Sequence, residues 1–540
     1  MKRFRLRHKP KRPLTVSSIA WGRPLTLWLY AGFSIILGVP VHAQDKVQTG
    51  LTLEQALTTA LAGNTDILLS RAQADFAQGV TQQNEGLFDL TLHAQGGKTH
   101  SVRPLRQDER ASYLLGGSEL RDQLTDTTIA QVGASKLFAH GIQTNLIASY
   151  SSIKDNTLLS SGTPRQDFGA LTFQLTVPLL RNAGDVSSSR LRAAEILATA
   201  ARSELEFAIA QTLLSSTLNY WDYLGKAQRL IISRASEQRS EVLLEEIRKL
   251  IDANELPKSE INLAQATLND RRSVRIDAEQ VLLESRRTLG RALGLNAQTS
   301  MAIDELADEF PRYAGIPINT VAESAVMITK ALQTRSDLEA LRQRKAAAKI
   351  LLGAARKNRQ PQLDLVLGAT KSGLREGGSI NSGATAFAQS QGTGFSVKLL
   401  FQMPIGNNSA RGLYRQQMAE LDIQRIKINE LNQTISNNIE ITAYAVLGAS
   451  QRLSATDAAT KTYAISLENE RTKRRLNMAT LIDTLNIEER YNNALLASVQ
   501  AHQAYANAIA QFRFETGSLL TRKGDTYHAN VGALLTPQLH

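Results

Sequence analysis

Residues 185–256 contain no proline and a single glycine, Gly225, and residues 413–516 contain no proline and a single glycine, Gly448. An interior proline costs a helix about 3 kcal/mol and an interior glycine about 1 kcal/mol relative to alanine, so both stretches are free to run as helix almost without interruption. Apolar residues recur there at three- and four-residue steps, as in Leu205, Ala208, Ile209, Leu213 and again in Leu243, Leu244, Ile247, Leu250, with Arg, Glu and Gln between them. At about 1.5 Å rise per residue, roughly 65 helical residues span about 100 Å. Helices of that length predict coiled-coil packing and an elongated body, not a compact series of ordinary domains.

The two stretches are related. LGKAQRL (224–230) returns as LGASQRL (447–453), 223 positions later, and the same offset pairs Glu245 with Glu468, Arg248 with Arg471, Asn254 with Asn477, Glu260 with Asp483, Asn269 with Asn492 and Gly294 with Gly517. Upstream, LTFQLTVP (171–178) lies over VKLLFQMP (397–404), and NTDILLSRAQA (64–74) over RSDLEALRQRK (335–345). The chain is expected to be two similar halves, about 50–295 and 320–518, joined by a linker holding Pro311 and Pro317.

Each half begins with a short helical segment, LTLEQALTTALAGN (51–64) or TVAESAVMITKALQ (320–333), and continues into strands. FDLTLHA (88–94), LTFQLTV (171–177), LDLVL (363–367) and FSVKLLFQM (395–403) alternate apolar and polar residues, so one face meets an apolar medium and the other water. Weaker strand patterns over 130–138 and 141–150 flank Ala139-His140-Gly141 and have no counterpart in the second half. The polar, glycine-containing stretches 99–127 and 368–394 read as loops. Four alternating strands are too few to close a barrel, and an open sheet facing lipid leaves backbone groups unpaired, so strands must be pooled from several chains.

Residues 1–43 carry eight of the 62 Lys and Arg and no Asp or Glu, which leaves 54 basic against 50 acidic residues for the remainder. The basic excess therefore sits ahead of the apolar run LTLWLYAGFSIILGV (25–39) and the small-residue site Val41-His42-Ala43, the layout of a secretory signal cleaved after Ala43. It does not point to nucleic acid. The sequence has no cysteine, so packing alone holds it together. Catalytic signatures are missing: Lys226 follows Gly225, but Ala227 stands where a phosphate loop needs Ser or Thr, and there is no HExxH. His93, His100, His140, His502, His528 and His540 form no ligand-spaced cluster, so no metal or cofactor is expected.

LTLEQALTTALAGN, the strand–proline junctions LTVPLLRNAG and LLFQMPIGNN, the segment LNYWDYLGKAQRL (218–230) and the duplicated plan together resemble the TolC-like outer-membrane efflux proteins over about residues 50–518. The resemblance implies an α+β membrane protein: a homotrimer in which each chain gives four strands to one shared twelve-stranded barrel, continuous with a periplasmic α-helical coiled-coil barrel. Its divisions would be a signal peptide (1–43), a first repeat (44–310), a second repeat (311–519) and a polar, loosely ordered tail (520–540). It further implies the channel of a tripartite efflux or type I secretion system in the outer membrane, a passive duct with a periplasmic adaptor and an inner-membrane transporter as partners. The alternative from a different class is a soluble periplasmic coiled-coil adaptor or scaffold.

The resemblance also assigns sites. The turns between the long helices would be adaptor-docking tips: Asn254, Glu255 and Leu256 in the first half, Asn477, Met478 and Ala479 in the second. Family members often carry glycine there; asparagine also enters the left-handed region readily, so the turn can still form. Asp483 matches the first of two aspartates that ring the periplasmic gate, and the second position is Asn486. Three copies of Asp483 would attract cations and repel one another, raising their pKa values. Asp89, His93, Asp364 and Lys398 would face the barrel lumen, and Gly225 and Gly448 would permit close approach of a neighbouring element.

Overall fold

The computed structural model describes residues 50–117, 119–157, 165–303, 305–312, 322–376, 392–476, 478–524 and 526–535. The proposed signal segment, Pro317 and Asn477 lie outside them.

Helix α1 (Leu53–Gly63) is opened by Thr52 in a capping box with Gln55 and leads into α2 (Thr65–Glu85), whose N-cap Asn64 accepts from the Asp66 amide. Strand β1 (Thr91–Pro104), α3 (Gln107–Leu115), β2 (Asp122–Leu137), β3 (Gln143–Asp155) and β4 (Arg165–Pro178) follow. The first long hairpin is α4 (Ser189–Asp252) and α5 (Glu260–Ala292), with α6 (Ala297–Met301) after it. Then come α7 (Ala322–Thr334), α8 (Ser336–Lys357), β5 (Gln362–Glu376) and β6 (Gly392–Gln402), and the second long hairpin, α9 (Asn408–Arg475) and α10 (Leu481–Glu515). A small hairpin, β7 (Leu520–Lys523) with β8 (Thr526–Ala529), and α11 (Val531–Leu535) complete the described chain.

The long helices arise where proline is missing from the sequence: α4 has 64 residues and α9 has 68. Both halves leave the sheet through an asparagine in the left-handed region, Asn182 (φ 64°) and Asn407 (φ 45°), a few residues after Pro178 or Pro404. Both shorter hairpin helices, α5 and α10, end at a left-handed glycine, Gly294 (φ 75°) and Gly517 (φ 69°). In each half the end of that helix meets the start of another. Asn64 Nδ2 donates to Ala292 O (2.8 Å), and Arg335 Nη1 donates to Glu515 O (3.1 Å). Ala292 and Glu515 are again 223 positions apart.

Three apolar cores lie along the helices. One gathers α1, the middle of α4, the end of α5 and the C-terminal segment around Leu53, Leu57, Tyr220, Trp221, Leu289 and Leu534. A second joins α7, α8, α9 and α10 around Ile435, Ile439, Leu453 and Tyr505. The third lies near the turns, where Leu243, Leu244 and Ile247 of α4 and Ala264 and Leu268 of α5 meet Leu481 of α10. Leu520, Tyr527, Ala529, Val531, Leu534 and Leu535 pack on the first core, with Leu534 buried, so the described part of the expected loose tail is folded.

The sheet departs most from expectation. It has six strands in the order β1-β2-β3-β4-β5-β6, every neighbouring pair antiparallel, not four strands. The weak patterns over 130–138 and 141–150 are parts of two full strands, and stretches read as loops continue the strands to Pro104, back to Asp122 and on to Glu376. Threonine, serine, glycine and glutamine dilute the apolar alternation there, which is why those ends read as loops. All six strands have one end facing the helices, and β1 and β6 are open edges.

Candidate functional site: the sheet wall and the helical tips

Register assigns each strand residue to one of two faces. One row runs Leu92–Ala134–Leu146–Phe173–Ala369–Phe395 through all six strands, and the next row on that face holds Ala94, Val132, Ala148 and Leu171. Leu175, Val177, Leu363, Leu365, Leu367, Val397, Leu399 and Phe401 extend the same face toward the helices. Its large apolar side chains stand in the open: Leu92, Val132, Leu146, Phe173, Phe395, Val397 and Phe401 are all exposed. The apolar band shifts along the rows from β1 to β6. At the end away from the helices this face turns charged, with Lys98, His100, Lys154, Arg165, Lys371 and Arg375. Arg165 Nε donates to Asp167 Oδ1 (3.0 Å), and Tyr150 donates its hydroxyl proton to the same oxygen (2.8 Å).

The other face is mostly polar. Its rows include Gln95–Gln131–Ser149–Ala170–Ser372 and Ser135–Asn145–Gln174–Gly368–Ser396, interrupted by Ile129, Ile147, Phe168 and Leu374. His93, Asp364 and Lys398 share this face, whereas Asp89 lies ahead of β1 and belongs to no row. His93 lies against Gly133, where a Cβ would meet its ring.

At the far end of the helices, the two turns come together. The α4–α5 turn places Asn254 at φ 58°, the left-handed geometry the sequence suggested for it. Asn254, Glu255 and Met478 are exposed, and Leu256 and Ala479 are half-buried. Leu256 and Ala479 line one open cleft of ≈ 1270 Å³, together with Arg471, Arg474 and Arg475 at the end of α9 and Glu255, Glu246 and Glu468. Among the described residues, two ion pairs cross between the hairpins: Arg239 Nε to Glu488 Oε1 (2.8 Å) and Arg474 Nη2 to Glu246 Oε2 (2.6 Å). Arg239 Nη2 also donates to Asn492 Oδ1 (2.5 Å), and Asn492 Nδ2 donates to Ser236 Oγ (2.9 Å). These partners are about 250 positions apart in sequence, so no local pattern marks them.

Asp483 and Asn486 are both exposed, one turn apart at the start of α10. Asp483 is also a capping residue: its Oδ2 accepts from the Thr480 hydroxyl (2.6 Å) and amide (3.1 Å), and the Asp483 amide donates back to Thr480 Oγ1 (3.2 Å). Within the protomer these bonds hold its carboxyl below the usual carboxylate range, the reverse of the rise expected from three-fold repulsion.

The two helix glycines differ. A Cβ on buried Gly225 would lie 2.7 Å from Gln503 Oε1 on α10, whose Nε2 donates to Asp222 (3.0 Å), whereas exposed Gly448 has open space around it within the described protomer. Among the described residues, no group of three His, Cys, Asp or Glu side chains could hold a metal ion. No described helix is long and apolar enough to cross a membrane.

No family model and no curated protein matches the chain. Solved structures do. A crystal structure of the CmeC outer membrane channel of Campylobacter jejuni aligns with a TM-score of 0.64 at 12% identity, covering 86% of this chain and 85% of that one. The outer membrane protein VceC of Vibrio cholerae aligns at 0.60 and 15% identity over 86% and 96% of the two chains. The open-state MtrE outer membrane channel of Neisseria gonorrhoeae aligns at 0.59 and 13% identity over 86% and 88%. The fold is that of these outer-membrane channels.

Proposed function

We propose that this chain, built on the fold of outer-membrane channels, is itself an outer-membrane channel: a TolC-like homotrimer that serves as the passive exit duct of a tripartite efflux or type I secretion system. One observation carries the reading. An open-edged sheet with an apolar outward band and a polar opposite face runs directly into four helices of 33 to 68 residues. A sheet of this kind is stable in lipid only if its edges close, and identical copies are the simplest source of closing strands. The polar faces then line a lumen, and the helices, duplicated in two internal repeats, continue it through the periplasm.

The helical tips, with Asn254, Glu255, Leu256, Asn477, Met478 and Ala479, would dock a periplasmic adaptor, and the inner-membrane transporter behind it would supply the substrate. Asp483 and Asn486 would face the narrow end of the duct. The protein does no chemistry in this scheme and needs no cofactor.

Reconstitution into planar bilayers tests the proposal: discrete, long-lived conductance steps are expected from detergent-extracted protein. Recovery in the soluble periplasmic fraction after mild lysis, with no conductance, would instead favour the adaptor or scaffold.

A further inference from the structure

We propose that the β2–β3 hairpin is part of the lipid-facing wall, so that three copies close a barrel of eighteen strands, not twelve. The inference rests on the channel reading above and goes beyond it. A hairpin inserted into a channel protein could fold outside the membrane as a cap or lie in the wall, and four observations place it in the wall.

First, it is central in the sheet. β2 pairs with β1 over all fourteen positions of that strand and β3 pairs with β4 over twelve, with no register break at either seam. Second, its faces agree with those of the other strands. Val132, Ala134, Leu146 and Ala148 stand in the same outward rows as Leu92, Leu171, Phe173 and Phe395, while Gln131, Asn145 and Ser149 stand in the polar rows. A cap folded away from lipid would have no need for Val132 and Leu146 to be exposed at 61% and 45%. Third, the charged end of the outward face crosses the hairpin as well, through Lys154 beside Arg165.

Fourth, the hairpin turn is built onto the strand-to-helix junction. Gly141 has φ +87°, and a Cβ there would lie 2.5 Å from Asn182 O and 2.7 Å from Ser187 Oγ. The turn is short, Phe138–Ile142, and lies at the helix-facing end, where transmembrane barrels have short turns. The connections at the opposite end are longer.

Closure is consistent with the topology. β1 runs away from the helices and β6 runs back, so β6 of one copy meets β1 of the next antiparallel. At equal tilt, circumference grows with strand number, so eighteen strands enclose roughly twice the area of twelve, in the range where barrels hold an aqueous channel.

The test is depth-resolved fluorescence quenching in bilayers containing phosphatidylcholine brominated on its acyl chains. Trp221, the sole tryptophan beyond position 43, is fully buried and gives a constant background. Tryptophan is placed singly at outward Val132, Leu146 and Val397 and at inward Gln131 and Ser149. V132W and L146W are expected to be quenched as V397W is, to within about twofold, and Q131W and S149W several-fold less. Quenching of V397W without quenching of V132W and L146W would overturn the eighteen-stranded wall and leave the channel reading standing. An unquenched V397W would overturn the channel reading itself. Should a tryptophan variant fail to assemble, single nitroxide-labelled cysteines at Val132 and Ala148, unique in a cysteine-free chain, report the same depth by oxygen accessibility, with low accessibility at both overturning the proposal.

Discussion

Asp483 has a capping role in the fold and a second role in the proposed duct, and substitution can separate them. Its charge would contribute to a cation-attracting ring, and its oxygen closes the capping box with Thr480. Asp483→Asn keeps an acceptor for the Thr480 amide and removes the charge; Asp483→Ala removes both. Block of single-channel current by a multivalent cation is expected to fall in both variants, while thermal stability of the assembled protein falls more in Asp483→Ala, which also loses the cap acceptor, than in Asp483→Asn. Unchanged block in Asp483→Asn would remove the ring from the scheme. The pH dependence has a defined sign. A carboxyl depressed in the folded state contributes stability above its unfolded value of about 3.9, and that contribution is lost as pH falls through the still lower folded value. Cation block in a wild-type channel is therefore expected to persist below pH about 3.9 if capping dominates. A midpoint above that value would mean that repulsion among three copies outweighs the Thr480 hydrogen bonds. Gly225 and Gly448 diverge similarly. Gly225→Leu is expected to lower the yield of assembled protein sharply because Gln503 fills the space, and Gly448→Leu to leave it near wild type; loss of yield in Gly448→Leu would show that a neighbouring copy lies there.

Helices and strands were not equally legible in the sequence. The long helices could be read almost to their ends, because missing proline and three-to-four spacing are local signals: 185–256 became Ser189–Asp252, and 413–516 became α9 and α10 with one turn between them. Strand number could not be read, because a strand is marked only by a short two-residue alternation, a weaker signal than the spacing along a long helix. In β2, Gly133 and the Thr-rich stretch 125–128 weaken it further. The tip turn at Asn254 was legible from residue chemistry, but the bonds that hold one hairpin to the other were not. Arg239 and Glu488 are ordinary helix residues until folding brings them within 2.8 Å, and Glu488 then keeps only 6% of its side-chain surface. Truncating one partner leaves the other charge without its mate, so Arg239→Ala is expected to cost about 3 kcal/mol against thermal unfolding. A double-mutant cycle with Glu488→Ala should return a coupling well above the 0.2–1 kcal/mol typical of exposed pairs. Because this pair ties the second hairpin to the first, raised mean conductance should accompany its loss if the proposed duct narrows at the turns. Coupling near zero would make the pair incidental to the tip.

The whole molecule is constrained by its edges. Every residue of β1 is exposed and nearly every residue of β6, so the six-stranded sheet ends in two unpaired ladders, which the proposed trimer would close. An even number of strands per copy keeps each new seam antiparallel, and that parity permits a direct alteration of barrel size. Deleting residues 122–155 removes β2 and β3 together and leaves β1, running outward, beside β4, running back, joined by what remains of the outer connection. The shortened protomer would have the four strands that the resemblance alone implied. If the wall is built from pooled hairpins, this variant is expected to assemble still, with the same helical body, and to pass smaller polymers than wild type. Exclusion of polyethylene glycols from the pore, read as conductance recovery against polymer size, checks this directly. A shift to smaller cut-off size follows from a circumference reduced by a third at equal tilt. An unchanged cut-off would place the narrowest point in the helices, and a variant that no longer assembles would make the hairpin indispensable to closure. Only the first outcome is expected, because the ladder lost on β2 and β3 is offered again, antiparallel, by β1 and β4.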